Sequence, residues 1–333
     1  MKKILAILLA ALMIFGVTAC TSSQEPAAEP EAAEGTETET EGEAAQEQLT
    51  IAPGKLSVAL SPDFAPMEFV DTSKSGQDQY VGFDVTLAKF IAEEMGCELT
   101  IEPMSFDACQ AAVQTHSVDM SISGFSYTPE RAENFNLSDY YYAGDNETEQ
   151  TIIVLAENAD KWTKAEDYSG LKVGAQSASL QYNLCTAQLP SDTEIVLYAD
   201  LGTAVEALRS GIVDAVAVAY GNGEAIISNN DAIAMSGFEF EVSEEAENNV
   251  IMMTKGNDAL LEKVNEILAK AYDAGYYGQW YEEAKALAGI DTAEEVSYKS
   301  NRESKTDSDQ TGGLLLLRQP ASLSNSSVSG GIP

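Results

Sequence analysis

Hydrophobic positions recur along this chain in two alternating rhythms. Leu56–Leu60 is a short apolar run that reads as a buried strand. A loop follows, because Pro62 and Pro66 each interrupt regular structure in Ser61-Pro62-Asp63-Phe64-Ala65-Pro66. Over Phe83–Met95 the apolar residues Leu87, Phe90, Ile91 and Met95 fall at helical spacing, and Gly96 ends the helix. Leu99–Met104 reads as a strand, Phe106–Thr115 as a helix and Val118–Gly124 as a strand. Thr128 with Pro129 then gives a helix N-cap and a first-turn proline.

A second set starts near Thr151. Strands are predicted at Thr151–Leu155, Leu171–Ala175, Glu194–Tyr198, Val213–Ala219 and Val250–Thr254. Helices are predicted at Ser177–Gln188, Thr203–Arg209, Glu224–Ser228, around Leu260–Leu268 and at Trp280–Leu287. Strands alternating with helices of this length imply mainly parallel sheets. Two such sets imply two α/β lobes, with a binding cleft beyond the strand C-termini.

The two ends depart from this pattern. Lys2 and Lys3 precede an apolar run, Ile4 to Val17, which suits an export signal and is short for a membrane span. The run closes on Val17-Thr18-Ala19-Cys20, small residues before a cysteine. Residues 21–50 carry nine Glu and no Lys or Arg, which predicts a self-repelling disordered tether. Residues 291–333 are rich in Ser, Asn, Gly and Gln and read as a disordered tail.

Charge narrows the function. The chain has 333 residues with 18 Lys+Arg and 54 Asp+Glu, a net of −36. Residues 51–290 keep 39 acids and 12 bases, a net of −27. Nucleic-acid binding is excluded, since it needs basic side chains to displace counterions. The acidity reads either as a solvated surface or as a field that steers a cationic ligand. Besides Cys20 there are Cys97, Cys109 and Cys185, an odd number whose spacing fits no zinc motif and which read as buried free thiols. His116 is alone, without metal-ligand partners, and reads as a surface residue. No cofactor is implied, and nothing suggests an oligomer.

Several stretches resemble the extracytoplasmic solute-binding proteins of ABC importers, in the amino-acid-binding branch. They are Phe64-Ala65-Pro66-Met67-Glu68-Phe69, Gly82-Phe83-Asp84-Val85 and Gly124-Phe125-Ser126-Tyr127-Thr128-Pro129-Glu130-Arg131 with Ser138-Asp139-Tyr140-Tyr141. Gly170-Leu171-Lys172-Val173-Gly174 and Gly211 with Asp214-Ala215 continue the match. The resemblance spans about Lys55 to Gly289. Val17–Cys20 resembles a lipobox, which implies a lipid on Cys20, anchorage to the outer face of the cytoplasmic membrane, and a Gram-positive-type cell surface.

The resemblance implies a two-lobed, type II periplasmic-binding-protein-like fold joined by two crossing strands. Lobe 1 would hold 55–144 and 255–290, and lobe 2 would hold 149–250. Closure would trap a small carboxylate, most simply an amino acid, and deliver it to an ABC permease, with no catalysis. The implied contacts are Arg131 for the ligand carboxylate, the Ser126 hydroxyl, the Gly124 carbonyl as an acceptor from an ammonium, and Phe64 and Phe125 lining the pocket. Lobe 2 would add Ser177, Ala178 and Ser179. The family usually places an ammonium-binding Asp where this chain has Ala219. Either Glu224, Asp63 or Glu68 replaces it, or the ligand is not a free α-amino acid. A sensing role through a partner receptor, or a dehydratase-like enzyme on the same fold, are the alternatives.

Overall fold

The computed structural model describes residues 49–142, 149–228, 230–246 and 248–290. The export signal, Cys20, most of the acidic tether and the C-terminal tail lie outside those residues. In chain order the elements begin with β1 (Lys55–Leu60), β2 (Asp63–Phe64), β3 (Glu68–Val70), β4 (Tyr80–Val81) and α1 (Phe83–Met95). Next come β5 (Glu98–Pro103), α2 (Phe106–Gln114), β6 (Met120–Ser121), α3 (Pro129–Asn134) and β7 (Phe135–Leu137). The second half holds β8 (Gln150–Leu155), β9 (Lys172–Gln176), α4 (Leu180–Gln188), β10 (Glu194–Tyr198) and α5 (Leu201–Arg209). It continues through β11 (Ala215–Ala219), α6 (Tyr220–Ser228), β12 (Ile233–Glu239), β13 (Met252–Thr254), α7 (Asp258–Asp273) and α8 (Tyr276–Ala288).

The strands form two five-stranded sheets of matching layout, β5-β1-β6-β13-β7 and β10-β9-β11-β8-β12, with β2-β3-β4 as a small third sheet. In each large sheet four strands run in one direction, and one inserted strand, β13 or β8, runs antiparallel to both its neighbours. The returning β13 completes the first sheet although it follows the second in sequence. Helices pack on the parallel strands because βαβ crossovers cover both faces.

The first lobe's core joins Leu56, Val58 and Leu60 of β1 to Leu87 and Ile91 of α1 and to Val264 and Leu268 of α7, all buried. Phe83 sits among Tyr141, Tyr277, Trp280 and Tyr281 with ring centroids 5.8–6.4 Å apart. The second lobe packs Ile152 and Val154 of β8 against Tyr168, Val173 and Phe238.

Differences from the sequence expectation have local causes. The loop after β1 contains the short β2, which pairs with β3. Only Met120 and Ser121 of the expected Val118–Gly124 strand are ladder-paired, because Gly124 turns away with φ +55°. The helix expected from Ser177 begins at Leu180. Ser177 N–H still bonds the Tyr198 carbonyl beside the sheet, and Ser179 is the N-cap, accepting from Tyr182 N–H. The short helix expected at 224–228 starts at Tyr220, and Gly223 inside it lies against the Met235 side chain of β12, a strand the pattern did not reveal. Cys109 and Cys185 are buried free thiols pushed up to about 12 by burial, while Cys97 is free but only half-buried. His116 is exposed, with φ 55°, just past the end of α2. Among the described residues no helix is long and apolar enough to cross a membrane.

Candidate functional site

The parallel strands of both lobes point their C-terminal ends at one space. Ser61 and Asp63 follow β1, Phe106 follows β5, and Ser123 and Gly124 follow β6. From the second lobe come Gln176 at the end of β9 and Leu180 at the start of α4. Asp63, Phe64, Phe106, Ser123, Gly124, Ser126, Arg131, Gln176, Leu180 and Gln181 line a space of about 350 Å³, its mouth included.

Direct hydrogen bonds already draw the lobes together across this space. Arg131 Nη2 donates to the Ala178 carbonyl at 3.0 Å, and Gln110 Nε2 donates to the same carbonyl at 3.2 Å. Asp63 Oδ2 accepts from Gln176 Nε2 at 3.0 Å and from Leu201 N–H at 2.6 Å. Asn222 Nδ2 donates to the Ala65 carbonyl at 3.1 Å.

Arg131 sits in the first turns of α3, held by the Thr128 hydroxyl, which accepts its N–H. Its side chain is nearly sealed, with 6% of the residue exposed. Nη1 donates to the Ser126 carbonyl at 2.7 Å. The guanidinium lies 5.3 Å from the Phe125 ring centre and 5.6 Å from that of Phe106. Among the described residues no carboxylate forms an ion pair with it. Burial pulls its pKa down to about 10. A guanidinium has five donors, so two neutral carbonyls leave three N–H groups and a whole charge to be met. A desolvated, unpaired cation is costly, and a planar anion accepting two parallel bonds answers it.

Facing it, Ala178 adopts φ +60°, a left-handed conformation rare for a residue with a Cβ. That strain turns its carbonyl toward Arg131. As at any helix start, the first N–H groups of α4 lack carbonyl partners within the helix, and Ser179 Oγ meets that of Tyr182.

The sequence-predicted residues divide. Phe64, Gly124, Ser126 and Arg131 line the space. The Phe64 ring is half-buried and lies so near Gly124 that a Cβ there would approach Phe64 Cε1 to 3.0 Å. Phe125 does not line the space. It is wholly buried beneath the guanidinium, 4.6 Å from Phe106, and Phe106 holds the lining place expected of it. Ser177 is committed to Tyr198 and Ser179 to capping α4. Ala178 meets the first lobe through its carbonyl rather than its N–H. Asp63, Ser123, Gln176 and Gln181 were not anticipated as a set. Their signal in the sequence was position alone, at or just beyond strand C-termini.

Behind Gly124 lies a second, sealed acid pair. Asp84 Oδ2 accepts from Gly124 N–H at 2.8 Å and from the Tyr141 hydroxyl at 3.0 Å. Glu68 Oε1 accepts from Ser123 Oγ, and Glu68 Oε2 and Asp84 Oδ1 are buried without a hydrogen-bond partner among the described residues. Both residues are fully buried. Burial and the Asp84 charge push Glu68 well above the carboxylate range, and burial raises Asp84 to about 7. Glu68 therefore keeps its proton, sealed close to the Asp84 charge. The pair fixes the Gly124 backbone from behind.

Comparison with known proteins identifies the family. The family model of bacterial extracellular solute-binding proteins, family 3, matches residues 56–284. The chain is 27% identical over 279 residues to the arginine-binding extracellular protein ArtP of Bacillus subtilis, covering 83% of this chain and 94% of that one. It is similar to the solved structure of an amino acid ABC transporter substrate-binding protein, AbpA of Streptococcus pneumoniae, bound to L-arginine. That match has 34% identity and a TM-score of 0.64, covering 72% of this chain and 97% of that one. An ancestral arginine-binding protein bound to glutamine gives 30% identity and a TM-score of 0.62, covering 70% and 98%. The family model spans more than half of the chain, and the chain belongs to the bacterial extracellular solute-binding proteins of family 3.

Proposed function

We propose that this protein binds a free amino acid between its lobes, closes on it, and delivers it to an ABC permease. The observation that carries the reading is the Arg131 guanidinium, sealed in the interlobe space with no carboxylate partner among the described residues. A ligand α-carboxylate supplies that partner. Ser126 and the start of α4 at Ala178 and Ser179 surround that carboxylate, the Gly124 carbonyl accepts from the neighbouring ammonium, and Phe64 packs along the side chain. Ser177 and Phe125 act one layer back, holding Ala178 and Arg131 in place.

Support comes from the relatives. ArtP is named for arginine, and the two solved structures hold arginine and glutamine. The remaining parts of the reading are that residues 55–144 with 255–290, and 149–250, are the moving bodies, and that a lipid on Cys20 tethers them to the outer face of the cytoplasmic membrane. The enzyme alternative loses ground because the family and the relatives are named as solute-binding proteins.

A thermal-shift titration of the protein against the standard amino acids tests the function. Ligand bound only to the native state raises Tm by mass action. A rise with one or a few amino acids is expected, and no rise with any of them refutes the reading. Release of a Cys20→Ala variant from the membrane fraction into the medium is expected, and retention on the membrane refutes the anchor.

A further inference from the structure

The interlobe space contains a second uncompensated charge. Asp63 lines it together with Arg131, and no ion pair joins the two. Its Oδ1 accepts from Ser61 Oγ at 2.7 Å, and its Oδ2 accepts from Gln176 Nε2 and Leu201 N–H. Every one of these donors is neutral. Oδ1 retains an acceptor direction, since a carboxylate offers about four lone-pair sites. Burial, with the Asp200 charge adding to it, lifts Asp63 above its ordinary range, the mark of a carboxylate that lacks a cation.

The other candidate acids are placed elsewhere. Glu68 is sealed behind Ser123, where burial and the Asp84 charge hold its proton on. Glu224 lies on α6 and does not line the space. Ala219, where the family resemblance leads one to expect an aspartate, is buried at the end of β11 and offers only a methyl group.

We infer that Asp63 is the acceptor for the ligand's cationic nitrogen, so that Arg131 and Asp63 form a matched pair for a zwitterion. The inference rests on the amino-acid-binding reading above and assigns the charge that reading leaves open. It also links specificity to closure. The carboxylate that takes the ligand cation is the one that accepts from Gln176 and Leu201 of the second lobe, so cation and closing lobe converge on one group.

Calorimetric titrations of wild type and Asp63→Asn test this, with L-arginine, L-glutamine, 5-guanidinopentanoate and 4-carbamoylbutanoate as probes. The last two are the same molecules without the α-ammonium. Asparagine keeps an oxygen for Leu201 N–H and removes the charge. L-arginine affinity is expected to fall at least about tenfold in Asp63→Asn, as for loss of one charge-assisted contact. Affinity for cation-free 4-carbamoylbutanoate is expected to change less than about threefold. L-glutamine falling with arginine assigns the α-ammonium, and 5-guanidinopentanoate falling instead assigns the side-chain cation.

An equal fall for all four probes makes Asp63 a lobe latch only and overturns the inference, as does no fall. Should Asp63→Asn not fold, wild type alone decides. L-glutamine bound no tighter than 4-carbamoylbutanoate, together with L-arginine bound no tighter than 5-guanidinopentanoate, overturns a role for Asp63 with the ammonium. If 5-guanidinopentanoate is then also no tighter than 4-carbamoylbutanoate, no cation is recognised and the inference fails outright. Wild type that binds none of the probes or other amino acids overturns the functional reading itself, a result distinct from an unaffected Asp63→Asn.

Discussion

Arg131→Ala separates ligand binding from folding more cleanly than any other substitution in this protein. The guanidinium spends one N–H on the Ser126 carbonyl and one on the Ala178 carbonyl. Three N–H groups are left for a ligand, enough for a two-pronged bond to a carboxylate. Removing one partner of a buried, hydrogen-bonded charge pair costs about 3–5 kcal/mol. That corresponds to a loss of affinity of about 150- to 5,000-fold. The free protein should suffer far less. Without ligand, Arg131 is a desolvated cation facing two carbonyls and two rings, and its removal relieves a charge that burial already disfavours. Tm of the free variant is therefore expected within a few degrees of wild type, or above it. The assay is calorimetric titration with L-arginine or L-glutamine, paired with a melting curve of each free protein. Arg131→Lys is expected to recover only part of the loss, because an ammonium cannot present a planar fork. Unchanged affinity in Arg131→Ala, with wild type binding normally, would falsify the placement of the carboxylate.

Three further outcomes are expected. Gly82→Ala should destabilise the first lobe by at least about 2 kcal/mol, read from urea denaturation, because its φ is +118° and a Cβ would come within 2.3 Å of the Met67 carbonyl oxygen; an unchanged midpoint would show that the loop before α1 shifts freely. Ala178→Gly should keep wild-type stability or gain up to about 1 kcal/mol, whereas Ala178→Val should lose about 1–2 kcal/mol in the same assay, since φ +60° excludes a β-branched residue; equal behaviour of the two variants would contradict the conformation. Glu68→Gln should be more stable than wild type at pH 8, with the gap shrinking toward pH 4, and a gap independent of pH across melting curves would rule out the buried proton. The sign follows from the raised pKa of Glu68 and of Asp84, about 7 when folded. Above the unfolded carboxylate pKa the unfolded chain releases protons that the folded chain retains, so this pair costs stability as pH rises from about 4 through about 7.

The parts of this protein that were legible in its sequence are those where one physical signal acts alone. Leu56–Leu60 and Thr151–Leu155 are buried on both faces, so their apolar runs announce strands without help from distant residues. Thr128 and Pro129 start α3 through purely local chemistry, a side-chain cap and a fixed φ, and the helix begins where they put it. Legibility fails where a second part of the chain decides. Gly221 and Gly223 argue against a helix locally, yet α6 runs through both, and Gly223 leaves the room that Met235 of β12 occupies. Phe125 carries the same apolar character whether it meets a ligand or supports Arg131, and only the packing of Phe106 against it settles that it supports. Asp63 shows the limit most clearly. In sequence it is one of three acids, with Glu68 and Glu224, that could stand in for the aspartate absent at Ala219, and nothing in the sequence chooses among them. Its distinction is a desolvated carboxylate that faces Gln176 and Leu201, more than a hundred residues away. The proposed charge pair, Asp63 and Arg131, lies within the first lobe but in separate loops of the sequence, and only the fold brings both to one space and desolvates them against the second lobe.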